Sequence, residues 1–194
     1  MISSFGENCL LKNKYCFLVG IFLFVVFLVV ADGFTQENSP ANISIEGRNW
    51  ELYSSGVRTR MFLDVYQCAI YLDQEEKNLD SDLDLKHPIA IRIQILISEL
   101  PEQVPDPWRE SIKPEISDQL YSRFKKEIFK LTQRDLLIFT FLPGGPTKFY
   151  INNEKKFSDP GSGLMHSLLE QWIGPFPVSE DLKTALLLKK GKKQ

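Results

Sequence analysis

The chain has 194 residues, with 23 Lys and Arg against 25 Asp and Glu, so its formal net charge is −2. Hydrophobic residues make up 43 % and charged residues 25 %, which is ordinary globular usage and enough to build one core without staples. Nothing in that balance calls for nucleic acid, and P-loop and Gly-rich dinucleotide signatures are absent.

Phe17 to Ala31 (FLVGIFLFVVFLVVA) is uncharged, preceded by Lys12 and Lys14 and followed by Asp32 and Gly33. A basic lead, a short apolar run and a small-residue exit describe a secretory signal, with Val29 and Ala31 as the pair before the cut. The expectation is a signal peptide over 1–31 and an exported protein, periplasmic or secreted. The alternative is an anchor formed by residues 17–31, although a bilayer-spanning helix needs about 20 apolar residues. Cleavage removes Cys9 and Cys16 and leaves Cys68 alone, so the mature domain has no internal disulfide. Membrane contact is expected only through this segment, and only if it is retained.

Residues 32–42 (DGFTQENSPAN) are polar and read as a linker, with the domain over 43–190. Ile43–Ile45 and Trp50–Val57 read as strands around a turn at Glu46–Arg48. Arg60–Leu72 (RMFLDVYQCAIYL) is rich in strand formers and long enough for one bent central strand. Residues 73–86 are acidic and polar, with room for a short helix. Pro88–Ile97 alternates apolar residues with Arg92 and Gln94, the pattern of a half-buried strand. Pro105, Pro107 and Pro114 break the next segment and confine regular helix to the residues after Pro114. There Ile116, Leu120, Phe124 and Ile128 recur every four residues, an amphipathic helix. Asp135–Leu142 and Thr147–Ile151 are strands joined by the tight-turn sequence Pro143–Pro146 (PGGP), and Asn152–Asn153 is a second turn. A helix runs from Ser162 or Gly163 to Ile173 and stops at Gly174–Pro175, and Leu182–Leu188 is a final short helix. Strands, helix, hairpin and helices in this order predict an α+β domain with a mainly antiparallel sheet covered on one face by helices.

Three blocks carry a family resemblance. Ser55–Asp73 (SGVRTRMFLDVYQCAIYLD) has a Gly-x-Arg opening and a strand closing in Tyr-Leu-acid. Phe139–Asn152 (FTFLPGGPTKFYIN) is a late hairpin, and Leu168–Lys183 (LLEQWIGPFPVSEDLK) a closing helix, turn and helix. In that order they resemble the chalcone isomerase-like family over roughly residues 43–188, particularly its exported bacterial members. The family includes plant isomerases that cyclise chalcones, plastid relatives that bind fatty acids without catalysis, and bacterial members with no assigned role, so the resemblance implies the fold more firmly than the function.

Chalcone cyclisation needs a cation and hydroxyl or amide donors around the ketone. The resemblance places Arg58 at the family's cation and Tyr66 where the plant enzymes have Thr. The stretch SELPEQVPDPW (Ser98–Trp108) offers no Tyr or Asn where they are expected, and Met165 replaces a Ser or Thr. That departure argues against chalcone turnover. An Arg and a Tyr at these two positions instead match the fatty acid-binding relatives, where they hold a carboxylate. The expected ligand is therefore a fatty acid-like carboxylate at Arg58 and Tyr66, with Met165, Leu164, Leu168 and Leu169 lining an apolar cleft. If the protein is an enzyme, it is an isomerase or intramolecular lyase using Arg58 and Tyr66. A third reading is a structural or partner-binding envelope protein with a closed cleft.

Each of these residues also has an ordinary reading. Arg58 can be a salt-bridged surface residue, with Arg60 two residues on sharing its strand face. Tyr66 can be a core tyrosine, and Met165 plain packing. His87 and His166 have no metal-ligand spacing, so neither a metal nor a cofactor is expected. His166 reads as an exposed helix residue and Cys68 as a residue packed within the sheet. The acidic stretch Asp73–Asp84 and the Lys189–Lys193 tail read as solvated surface.

Overall fold

The computed structural model describes residues 39–73, 85–98, 110, 112 and 114–188. The expectations for the signal segment, the acidic stretch, most of the proline-rich stretch and the lysine tail fall outside them. All described elements belong to one compact unit, Ser39–Gln194.

Seven strands form one curled antiparallel sheet in the order β1-β2-β3-β4-β5-β6-β7, so every strand lies beside its chain neighbour. They are β1 Asn42–Ile45, β2 Arg48–Arg60, β3 Leu63–Asp73, β4 Ile89–Ile95, β5 Leu136–Phe141, β6 Thr147–Ile151 and β7 Glu154–Asp159. The described helices are α1 Asp118–Ile128, α2 Gly163–Ile173 and α3 Glu180–Leu187. This is the expected α+β architecture. The chain is tied to the sheet before residue 43, because the Pro40 carbonyl accepts from the Tyr71 hydroxyl and the Ala41 carbonyl from the Leu52 amide.

The main core lies between sheet and helices. Period-two alternation sends Cys68, Ile70 and Leu72 of β3, Ile89–Ile95 at odd positions of β4, and Leu137, Phe139 and Phe141 of β5 to that face. Helix α1 meets it with Leu120, Phe124 and Ile128, the four-residue recurrence seen in the sequence. Its N-terminus is capped by Ser117, whose Oγ accepts from the Leu120 amide. Phe139 and Phe149 stack with centroids 4.6 Å apart, and Phe157 leans on Phe149 at 5.1 Å. Phe157 belongs to β7, a strand not expected from the sequence. The segment EKKFSD is too polar to register by pattern, and the Asn152–Asn153 turn, with both residues at positive φ, is what returns it to the sheet.

Two expectations are corrected. Arg60–Leu72 is not one bent strand: Arg60 pairs with Leu63, and Met61 and Phe62 form a two-residue hairpin turn. Both have positive φ, 49° and 67°, the backbone of the turn usually built from Asn-Gly. Holding non-glycine residues in the left-handed region costs roughly 1–2 kcal/mol each. Strand β4 is not half-buried, since all seven of its residues are buried. On the face away from the helices, Arg92 and Gln94 lie among Ala69, Ala90, Tyr71 and Ile138, a second and more polar buried layer.

Helix α3 sits directly on β2. A Cβ at Gly56 would lie 2.8 Å from the Ala185 Cβ and 2.9 Å from a Leu182 methyl, and the Ser54 hydroxyl donates to the Leu186 carbonyl at 2.5 Å. The glycine of the Gly-x-Arg opening is therefore set by helix packing. Gly56→Ala is expected to cost about 1–3 kcal/mol by overpacking, and Gly56→Ala with Ala185→Gly less than the two single changes summed. Denaturant unfolding of the four proteins of the cycle measures both.

Candidate functional site

Arg58 and Tyr66 are directly opposed across β2 and β3. Residues opposed in this way share a sheet face with Cβ atoms about 4.5–5.5 Å apart, and the Tyr66 face is the helix-covered one. The register slips next to the pair, between Arg58–Tyr66 and Thr59–Asp64, leaving Val65 unopposed. Such a bulge sends two consecutive side chains to one side and bends the strand. Val65 packs against the same core as Tyr66.

Tyr66 is 8 % exposed, and its hydroxyl accepts a hydrogen bond from the Trp172 indole N–H at 2.9 Å. The two rings lie 6.4 Å apart, tilted at 59°. Burial pushes the Tyr66 phenol well above the ordinary tyrosine range, with a smaller push from the neighbouring Cys68, while the Trp172 bond and the Arg58 charge pull the other way. Arg58 is half-buried, and its Nη1 donates to the Thr59 carbonyl at 2.9 Å. Arg58 has no salt-bridge partner among the described residues. Arg60 is exposed, at the start of the hairpin turn.

Met165 is fully buried in α2, as are Leu164 and Leu168, with Leu169 nearly so. It lies seven residues before Trp172, on the same helix face but about 10 Å away along the axis. The structure thus brings Arg58, Tyr66 and Trp172 together and sets Met165 two helical turns off, within the same apolar layer. Cys68 is fully buried, as expected, and desolvation pushes its thiol upward. His166 is half-buried rather than exposed, because α2 presents most of its circumference to the sheet and to other chain segments.

Two features carry little signal in the sequence. One is Trp172, which places an indole donor on Tyr66. Its only signal was its place in the closing-helix block. The other lies on the opposite sheet face. There Arg92 is buried, with Nη2 on the Gln94 side-chain oxygen at 2.8 Å and Nη1 without a partner. Its charge partly offsets the desolvation that pushes Tyr71 up to about 12. Nearby on that face is a cleft of about 260 Å³ bordered by Glu46, Arg48, Trp50, Thr140 and Lys148. Its charges are largely paired, Lys148 with Glu46 and Arg48 with Asp73, and the Tyr150 hydroxyl donates to Glu46 at 2.6 Å. Among the described residues no group of His, Cys, Asp and Glu is placed to hold a metal ion.

A family profile described as chalcone isomerase-like matches residues 32–188. No curated protein matches the chain. Among solved structures, the crystal structure of an Arabidopsis thaliana fatty-acid binding protein superposes with a TM-score of 0.56 at 20 % identity, covering 77 % of this chain and 90 % of that one. At that identity the match speaks for the fold.

The raised phenol fixes the sign of a pH effect. The folded state holds the Tyr66 proton while the unfolded chain releases it near pH 10. Stability from this group is therefore complete below pH 10 and falls as pH rises beyond it, by about 1.4 kcal/mol per unit. Between pH 10 and 11.5, Tyr66→Phe is expected to lose stability less steeply than the parent, measured by denaturant unfolding across that range.

Proposed function

The chain belongs to the chalcone isomerase-like family, and we propose that it is a non-catalytic binder of an amphipathic carboxylate, foremost a fatty acid, whose head is held by Arg58. One observation carries this reading: a guanidinium stands opposite a buried phenol, on the helix side of the sheet, at the margin of the main apolar layer. A guanidinium presents a fork of donors to a carboxylate. Among the described residues Arg58 makes one hydrogen bond, from Nη1 to the Thr59 carbonyl, and its other donors form the fork. Tyr66, whose oxygen accepts from the Trp172 indole, sets a neutral, buried phenol beside that fork.

The tail runs from this head into the layer between β3 and α2, towards Met165, Leu168 and Leu169. These side chains are buried in the main core, so the tail enters by displacing packing, and Met165 supplies an adaptable wall. A charge-assisted bond contributes about 1.5–3 kcal/mol, and each buried methylene about 0.8 kcal/mol. The similarity to a fatty-acid binding protein supports the ligand class. The isomerase reading uses the same two residues but asks Tyr66 to give up a proton, and burial makes that proton harder to release. The proposal includes export, with residues 1–31 as the address.

A fluorescent long-chain fatty acid is expected to bind the protein, and Arg58→Ala to weaken it about tenfold or more, with Arg58→Lys in between because it keeps the charge and loses the fork. Equal affinity in all three proteins removes Arg58 from the site.

A further inference from the structure

The hairpin tip between β2 and β3 carries three consecutive apolar side chains in water: Met61 is 82 %, Phe62 101 % and Leu63 64 % exposed. A two-residue turn needs no apolar side chain, and here the backbone is held in the left-handed region by residues that disfavour it. The sequence thus spends local stability on a tip that projects a phenyl ring and a thioether.

A second apolar prong points from the same end of the domain. Ser54 meets the Leu186 carbonyl and Gly56 meets Leu182 and Ala185, so the N-terminus of α3 is directed along β2 towards Arg58 and the tip. The loop before α3 therefore lies at that end, and it carries Phe176, 91 % exposed. Arg60 is exposed beside the tip, and Lys183 is tied to the Gly174 carbonyl at 2.8 Å. Glu180 and Asp181 in the first turn of α3 make the charge of this end mixed.

We propose that this end of the domain docks on a lipid bilayer, with Met61, Phe62, Leu63 and Phe176 entering the interface and Arg60 lying among the headgroups. Two separate convex apolar prongs suit a fluid surface that closes around each of them, whereas a folded partner would need a matched pocket for each. Insertion of apolar side chains carries the contact, and the mixed charge around the prongs, Asp64 included, leaves it indifferent to headgroup charge. The inference rests on the reading of Arg58 only for its purpose: the tip lies four residues from Arg58 and four from Tyr66, so a docked domain presents its carboxylate anchor to the membrane from which an amphipathic acid would be drawn. Membrane contact was expected only from residues 17–31. Here it falls to the folded domain.

The test uses protein beginning at Asp32, since the compact unit Ser39–Gln194 contains every described element and its own core. Vesicles of phosphatidylcholine, with or without about one third phosphatidylglycerol, are expected to sediment the protein. The double variant Met61→Asn, Phe62→Gly places the favoured turn residues on this backbone. It should melt at the same or a higher temperature while losing vesicle binding about tenfold or more, with Phe176→Ser giving a smaller loss. Undiminished sedimentation of the double variant, or a parent that stays in solution, overturns the proposal. Lipid-free self-association that the double variant abolishes overturns it too, by making the tip a contact between copies of this chain. Fatty-acid binding without vesicles is expected to be unchanged in the double variant. If vesicles bind the parent and the fatty acid does not, the ligand reading fails and the docking surface stands.

Discussion

The hydrogen bond from the Trp172 indole to the Tyr66 hydroxyl is the constraint on which the rest of the site depends. It joins the central sheet to α2 inside the apolar layer, where an unmet polar group costs about 1–3 kcal/mol. It also decides what each group near Arg58 can still offer. The phenol oxygen is occupied from the helix side, its proton is held tightly by burial, and the opposing guanidinium lies where the apolar layer meets water. A cation at the lip of an oily layer, beside a neutral phenol, is the arrangement on which the proposed acid ligand rests.

The helix layer sets this geometry from a distance. Gly56 admits α3 onto β2, the bulge at Val65 turns Tyr66 onto the core, and the aromatic stack of Phe139, Phe149, Phe157 and Phe124 fixes α1 over the far strands. Each device acts through close contact, so a change at Gly56 or Trp172 should be felt at Arg58 without touching it. The tip at Met61–Phe62 is the exception. It is exposed and strained, and its residues suit a surface outside the protein better than anything within it.

Much of this was legible in the residues. The four-residue recurrence of Ile116 to Ile128, the PGGP turn and the Asn-Asn turn all signal through rules that hold locally, and the order of the three family blocks pointed to the sheet and its helices. Arg58 and Tyr66 were legible as a pair only through family resemblance, since eight residues of separation says nothing about a hairpin. The hairpin stayed hidden because Met-Phe is not turn chemistry, and the bulge because an unopposed Val looks like any other strand residue. The β7 strand is too polar to show a pattern. Burial on both faces of β4 is a tertiary fact: the alternation of Ile with Arg92 and Gln94 reads as one wet face, whereas the structure encloses both.

The central claim is that the acid is held on the helix side of the sheet, at Arg58 and Tyr66, and not on the face that carries Arg92. The indole N–H signals of Trp172 and Trp50 report on these two faces in a nitrogen–proton NMR spectrum of the protein titrated with oleate. A saturating shift of the Trp172 signal, with Trp50 unmoved, is the predicted result. A shift of Trp50 with Trp172 left in place would put the ligand on the wrong side of the sheet and contradict the account.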